Sequence, residues 1–450
     1  MKVLKFGGTS VGAPERMQQV AQLIDDGQAK IVVLSAVSGT TNSLVAIARS
    51  YYDKQDEQAN LLVDVLEKKY EDFLHGLYKQ ESSKERARRI LADSFQLLRS
   101  FHGALFTEPD EKLILAQGEL ISTHLFHFYA EEVGLKTALL PALSFMRTRA
   151  GEPDAPYIAA SLREVIRQVG TADYYITQGY ICKNEYGGID NLQRGGSDYT
   201  ASLIGAAIDA QEIQIWTDID GMHNNDPRVV QPTYPIKQLA FEEAAELAYF
   251  GAKILHPSSV LPAQKANIPV RLLNTMEPEA PGTIISAAGG SEPGQAKAIA
   301  AKDGIIAIRI RSSRMLFAYG FLKKVFEIFE NYHTPIDMIT TSEVAVSLTV
   351  DEDKHLDQIA SELKQLGVVE IDREQTIVCV VGSFGKEEVG AGLKVLESLR
   401  DIPIRMISSG GSQRNISVLI DTANKEKALI ALNAGLFQLT SPPVGQIAER

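Results

Sequence analysis

The sequence predicts an α/β protein: a mostly parallel central sheet flanked by helices, followed by two smaller ferredoxin-like units. Three observations carry that prediction. Runs of β-branched residues alternate with helical periodicities along the earlier part of the chain, a paired glycine follows the first such run, and a motif near the C-terminus occurs twice.

The strand candidates Lys30–Ala36, Thr137–Leu143, Tyr174–Gly179 and Ile213–Asp218 are short and apolar, as expected of strands covered on both faces of a parallel sheet. Between the first two of these lies a long helical stretch. Leu62, Leu66, Tyr70, Phe73 and Leu77 keep a spacing of three and four, Glu81–Lys84 interrupts it, and Leu91, Phe95 and Leu98 resume it. A helical hairpin beside the sheet is expected, with its apolar stripe used for packing. Ser286–Lys297, rich in small residues and without periodicity, closes a first domain of about 1–290. In the remainder, about 300–450, Pro335–Thr341 (PIDMITT) recurs as Pro403–Ser409 (PIRMISS). Each copy follows an amphipathic helix and precedes a strand ending in Asp351 or Asp421. With Gly304–Arg311 and Val369–Val381 as further strands, each copy reads as a β-α-β-β-α-β unit. Such a unit buries one sheet face well, so the two copies, and then two subunits, are expected to pair.

Composition narrows the function. The 450 residues exceed what one core holds, and 45% hydrophobic with 23% charged residues is ordinary for a globular enzyme. Asp and Glu outnumber Lys and Arg by 57 to 45, a net charge of −12, with no basic stripe, which argues against nucleic acid as a partner. No run approaches the roughly 20 apolar residues that span a bilayer, so no membrane partner is expected. Cys182 and Cys379 have no His or Cys at metal spacing. Buried free thiols, no metal site of the chain's own and a cytoplasmic location are expected.

Chemistry is concentrated in the first domain. Lys5–Ser10 (KFGGTS) delivers a lysine from a strand into paired glycines, whose N–H groups can turn toward one polyanion, with Thr9 and Ser10 as further donors. The plainer alternative is a strand-to-helix turn with a solvated lysine. Gln193–Asp198 (QRGGSD) sets an arginine and an aspartate around a second glycine pair. Arg194 can grip a carboxylate with two parallel hydrogen bonds and Asp198 can orient lysines, against the alternative of a structural turn. Trp216–Gly221 (WTDIDG) runs on to Asp226-Pro227-Arg228, which turn chemistry alone would explain. Phe250–Lys253 (FGAK) and Gln117-Gly118-Glu119 each place one charged residue where a solvated face is the ordinary reading.

Together these residues resemble the amino-acid kinase family, and within it the aspartokinases. The resemblance runs through Lys5–Ser10, Ser35 with Thr41-Asn42, Gly118-Glu119-Leu120, Arg194–Asp198, Trp216-Thr217-Asp218, Asp226-Pro227-Arg228 and Phe250–Pro257, in that order and over essentially the whole chain. The C-terminal repeat resembles that group's paired ACT regulatory units, the first (about 314–382) inserted into the second (about 300–313 with 383–447).

The resemblance implies transfer of the ATP γ-phosphoryl group to the side-chain carboxylate of L-aspartate, the first step toward lysine, threonine and methionine. It implies Lys5 and Asp198 as catalytic residues; Ser35, Thr41, Glu119, Arg194, Gly195, Gly196 and Ser197 around the substrate; and Lys5, Phe6, Gly7, Gly8, Thr217, Asp218, His223, Arg228, Lys253 and Ile254 around ATP, which carries Mg²⁺. Met315, Ala318, Phe321, Leu322, Pro335, Ile336, Asp337, Ser342 and Glu343 match the effector pocket of lysine-sensitive members. Feedback inhibition by lysine is therefore expected, with threonine as the alternative. A homodimer or dimer of dimers through the ACT units, and no fused homoserine dehydrogenase, complete the expectation. Three departures stand out: Gln117 where many members have His, His223 where a Tyr is usual, and Ala318 and Pro335 in place of serines. Two other readings compete. A kinase of another acidic amino acid would not explain Arg194 with Glu119 or the tandem repeat, and a catalytically inactive amino-acid sensor would not need both Lys5 and Lys253.

Overall fold

The structure, a computed structural model, describes residues 1–192, 195–251, 255–290, 292–315, 319–385 and 387–439. Arg194, Lys253, Ile254 and Ala318 lie outside the described residues. Two compact units emerge. The first holds residues 1–222, 237–241 and 255–289; the second holds 223–236, 242–251 and the described residues from 290 onward.

The first unit opens with β1 (Lys2–Phe6), α1 (Pro14–Ile24), β2 (Lys30–Leu34) and the helices α2 (Thr40–Tyr52), α3 (Asp56–Leu77), α4 (Glu81–Arg99) and α5 (Glu108–Glu132). The break in the expected hairpin falls at 78–80, and Glu81–Lys84 is instead the first turn of α4. Tyr78 is what stops α3: its backbone is extended, its ring is buried and its hydroxyl donates to the Leu125 carbonyl at 2.7 Å. After β3 (Thr137–Leu140) and the short pair β4 (Thr148–Arg149) and β5 (Glu152–Pro153) come α6 (Ala155–Val169) and β6 (Tyr174–Gln178). A small hairpin, β7 (Ile181–Lys183) with β8 (Ile189–Asn191), leads to α7 (Gly196–Ala207) and β9 (Ile213–Thr217). The chain continues through β10 (Gln238–Leu239), α8 (Phe241–Tyr249), α9 (Leu261–Lys265), β11 (Val270–Asn274) and β12 (Thr283–Ile285).

Eight of these strands form one sheet in the order β10-β12-β11-β9-β1-β2-β6-β3, parallel at every pairing except β11 with β12. β1 is central. Its neighbours are β2 on one side and β9 on the other, and the chain runs from β1 toward β2 but from β9 toward β11, so the connections from these two adjacent strands diverge. That topology opens a crevice at the carboxyl ends of the strands, where ligands of open α/β sheets bind.

The second unit is one antiparallel sheet of six strands, β14-β15-β13-β16-β18-β17. Two long strands, β13 (Ala296–Arg311) and β16 (Val368–Gly382), run side by side through its middle. Around them stand α10 (Phe321–Asn331), β14 (Ile339–Thr341), β15 (Ala345–Val350), α11 (Leu356–Leu363), α12 (Ala391–Ser398), β17 (Met406–Ser409), β18 (Asn415–Asp421) and α13 (Lys425–Phe437). The seam of the repeat differs from the expected one. The Gly304–Arg311 half of β13 pairs with β15 and with Val368–Asp372, so it belongs with the inner copy rather than the outer one. The other half, Ala296–Lys302, pairs with Ile377–Gly382. A register shift between Lys302 and Ile305, with Gly304 at φ +76°, divides the halves. Each half carries its own core. Ile308, Val325, Phe329, Leu348 and Leu363 fill one; Val378, Val395, Val418, Ile420 and Leu432 fill the other.

Segments 223–236 and 242–251 join this unit although they precede residue 290. Their polar groups explain it. The Asn224 carbonyl accepts from the Ile299 N–H at 2.8 Å, the Asn225 amide donates to the Leu429 carbonyl at 3.1 Å, and Val230 is buried in the second core.

Phe329→Ala is expected to destabilise the second unit by about 3–5 kcal/mol through lost burial and the cavity left behind. Equilibrium denaturation checks this, and an unchanged midpoint would contradict the packing described.

Candidate functional site

Three strand ends and one helix start build the site. Phe6 closes β1 with its ring wholly buried and stacked on Trp216 of β9, centroids 5.8 Å apart. That ring therefore belongs to the core, and any nucleotide contact at this position is left to the backbone. The Gly7 N–H donates to the Trp216 carbonyl at 3.2 Å, and the Ser35 N–H to the Phe6 carbonyl at 3.2 Å, so the loops after β1, β2 and β9 are tied together. The Ser122 hydroxyl holds the Ser35 carbonyl at 2.8 Å from α5. Opposite, α7 begins at Gly196 behind Gly195, whose φ is +70° and where a Cβ would fall 2.5 Å from the His256 Cβ. Only glycine fits that position. The N-terminus of α7 thus lines the crevice with the positive end of its dipole.

Between these elements lies a cavity of about 560 Å³. Of the sequence-predicted residues, Lys5, Gly8, Ser35, Thr41, Glu119, Gly195, Gly196, Ser197, Asp198, Thr217 and Asp218 all line it. Lys5 Nζ stands 2.7 Å from Asp198 Oδ1, both side chains nearly buried. This is an ion pair without hydrogen-bond alignment, and Asp198 Oδ1 has no hydrogen-bond partner. Thr217 donates to the Asp218 carboxylate at 3.1 Å. Glu119 sits on α5, 4% exposed, and among the described residues outside its own helix it accepts from the Ala36 N–H at 3.2 Å. Burial pushes its carboxyl up to about 8, with the backbone hydrogen bonds too weak to offset the lost hydration. A lysine and a helix N-terminus make one part of the cavity a receptor for anions, and a desolvated carboxyl makes another a receptor for an ammonium group.

Sequence reasoning missed Tyr180. It lines the cavity next to the strand-end Gly179, with φ +65°, its N–H donating to Thr200 Oγ1 at 3.0 Å. Its place directly after the carboxyl end of β6 is a signal that could have found it. Thr9, Ser38, Gly39 and Asn42 also line the cavity.

Other expected residues lie elsewhere. His223 and Arg228 belong to the second unit, where His223 Nδ1 meets Thr233 Oγ1 at 3.0 Å and Arg228 forks onto Asp226 at 2.8 and 2.9 Å. The effector candidates are also in the second unit. Phe321 is buried in the inner core with Met315 and Ile336 packed against it, Leu322, Pro335, Ser342 and Glu343 are exposed, and the Asp337 side chain is buried.

Among the described residues no group of three or more His, Cys, Asp or Glu is placed to hold a metal ion, and no helix is long and apolar enough to cross a membrane.

Residues 1–274 match the amino acid kinase family and residues 378–436 an ACT domain. Lysine-sensitive aspartokinase 3 of Escherichia coli (strain K12) is 35% identical over 97% of this chain and 99% of its own. Aspartokinase 3, chloroplastic, of Arabidopsis thaliana is 34% identical over 99% of this chain and 84% of its own. Among solved structures, E. coli aspartokinase III in complex with aspartate and ADP, in the R-state, superposes with a TM-score of 0.84 at 32% identity, covering 97% of this chain and all of that one. Its T-state complex with lysine and aspartate gives 0.80 at 32% identity over 97% of this chain. A parallel sheet with a glycine-lined crevice at its carboxyl ends and a C-terminal regulatory sheet define a kinase of small acids. The chain belongs to the amino acid kinase family, in its aspartokinase branch.

In the free protein the Glu119 carboxyl is expected to titrate near pH 8, and Glu119→Gln to remove that titration. Carbon-13 NMR of labelled glutamate carboxyls reads it directly; a midpoint below 5 would contradict the burial.

Proposed function

We propose that the protein transfers the γ-phosphoryl group of ATP to the side-chain carboxylate of L-aspartate, giving 4-phospho-L-aspartate, and that lysine inhibits it. The observation that carries this reading is the Lys5–Asp198 pair at the start of α7, in the same cavity as the desolvated Glu119. A carboxylate with a pKa of roughly 4 is ionised at neutral pH, so the acceptor needs no general base. Catalysis then reduces to positioning and charge stabilisation. Lys5, the Gly8 backbone and the N-terminal N–H groups of α7 meet the phosphates, the Gly7 N–H being held by the Trp216 carbonyl. Glu119, once ionised, takes the aspartate α-ammonium, and Arg194 takes the α-carboxylate. Ser35 and Thr41 hold the reacting end from the loop after β2 and the start of α2. Thr217 and Asp218 serve the nucleotide. Magnesium brought with ATP would supply charge neutralisation at the phosphoryl oxygens. Asp198, paired with Lys5 through Oδ1 and lining the same cavity, is the carboxylate that would hold it.

The same reading includes a cytoplasmic location, supported by the two buried free thiols Cys182 and Cys379. It includes a homodimer as well, because among the described residues no further strand hydrogen-bonds to β14 or β17 at the ends of the regulatory sheet. Light scattering should return twice the chain mass or a multiple of it; a monomer at working concentration contradicts the dimer.

The deciding experiment is Mg-ATP turnover with hydroxylamine trapping of the acyl phosphate, comparing L-aspartate, L-glutamate and N-acetylglutamate. Hydroxamate formed with aspartate alone is expected. Lys5→Ala should lower kcat by about 10²–10³, whereas Arg194→Ala should mainly raise the KM for aspartate. Mild and equal effects of both on kcat would refute these roles.

A further inference from the structure

The second unit contains a buried charge cluster that phosphoryl transfer does not use. Asp337, in the turn before β14, has a side chain only 2% exposed. Its Oδ1 accepts from the Lys302 ammonium and from the Tyr249 hydroxyl, each at 2.7 Å. Lys302 also reaches Asp351 Oδ2 at 2.9 Å and lies 4.6 Å from the centre of the Tyr249 ring. Burial works against the charge on Lys302, but its hydrogen bonds to Asp337 and Asp351 outweigh that and hold it above the usual range. Asp337 Oδ2 is buried without a hydrogen-bond partner, an unfavourable state for a carboxylate oxygen unless a donor arrives.

Tyr249 ends α8, and one face of that helix is strapped to the regulatory sheet. Glu243 pairs with Lys297 at 3.1 Å, Glu246 accepts from the Asn415 amide at 2.5 Å, and Tyr249 donates to Asp337. Their spacing of three puts them on one side of the helix. At Gly251, φ is +124° and a Cβ would fall 2.1 Å from the Ala301 carbonyl oxygen, so this backbone lies directly on β13 beside Lys302. Four residues beyond Tyr249 in sequence stands Lys253, assigned above to the nucleotide.

The internal repeat supplies a comparison. Where the first copy has Asp337, the second has Arg405, paired with Asp372 at 2.7 Å and 4.0 Å from Asp421. The central charge is reversed, so of the two equivalent positions only the first presents a carboxylate to an incoming ammonium group.

We propose that Lys302 and Tyr249 occupy Asp337 Oδ1 as internal stand-ins for the effector's ammonium group, so that a basic amino acid gains that oxygen only by displacing them and thereby frees the C-terminal end of α8. This rests on the reading of Asp337 as an effector residue. An effector can shift the protein only by preferring one arrangement over another, and the exchange at Asp337 supplies two arrangements that differ at α8.

Calorimetric titration of L-lysine into the full-length protein, with the variants Tyr249→Phe, Lys302→Met and Asp337→Asn alongside, tests this. Lysine is expected to bind about fivefold or more tightly to Tyr249→Phe than to the unaltered protein, as removal of a charge-linked hydrogen bond competitor implies. Lys302→Met should act in the same direction, and Asp337→Asn should lose binding. Should Lys302→Met fail to fold, Tyr249→Phe decides alone. Unchanged affinity in Tyr249→Phe, with binding lost in Asp337→Asn, overturns the displacement while leaving the effector reading intact. Binding retained in Asp337→Asn overturns both. If the unaltered protein does not bind lysine, binding gained by Tyr249→Phe or Lys302→Met upholds the stand-in, and no gain in either removes it together with the effector reading.

Discussion

The catalytic unit depends on the placement of β1 between β2 and β9. Parallel ladders on both sides put Lys5 opposite Val33 and Ile215, at the centre of the sheet, and alternation along the strand sends Phe6 to the opposite face from Lys5. Phe6 anchors that register by stacking on Trp216. A slip of one residue would exchange the two side chains, burying an ammonium group in the core and exposing an aromatic ring to the crevice. The crevice exists because the connections from the adjacent strands β1 and β9 run to opposite sides of the sheet, and the glycines beside it let the backbone approach an anion.

Within the cavity, charge is arranged by contrast. Lys5 is neutralised by Asp198 at 2.7 Å, so the centre can remain nearly dry without carrying an isolated ion. Among the described residues no cation pairs with Glu119, and burial raises its carboxyl to about 8. Phosphoryl transfer asks little of acid–base chemistry and much of electrostatic preorganisation, and a pre-paired lysine beside a helix N-terminus meets that demand.

The second unit solves a different problem. A small β-α-β-β-α-β unit leaves sheet edges open, and two copies share β13 and β16 so that each long strand serves both halves. The two helices of each half cover their own core on that common sheet. Fusion makes the halves mechanically continuous, while the register shift at Lys302–Ile305 keeps their cores separate. The ion clusters of Lys302 and Arg405 stand at that seam, where the strand direction and the turns before β14 and β17 converge.

Much of this was legible in the chain. The strand runs at Lys30, Tyr174 and Ile213 begin where the observed strands begin, because strands buried on both faces are apolar throughout. Lys5, Glu119 and Asp198 were recognisable from the motifs they share with the aspartokinases, and the structure brings them to one cavity. The sequence by itself thus determined the alternation of elements, the glycine turns and the repeat, since periodicity and backbone freedom are local properties. Tertiary structure alone decided that Gly304–Arg311 pairs with the inner copy, that 223–236 and 242–251 fold with the regulatory sheet, that Phe6 is core, and that Asp337 is held by Lys302 and Tyr249. Those outcomes depend on which distant surfaces meet and on how much water they exclude, and neither is encoded in any short stretch of residues.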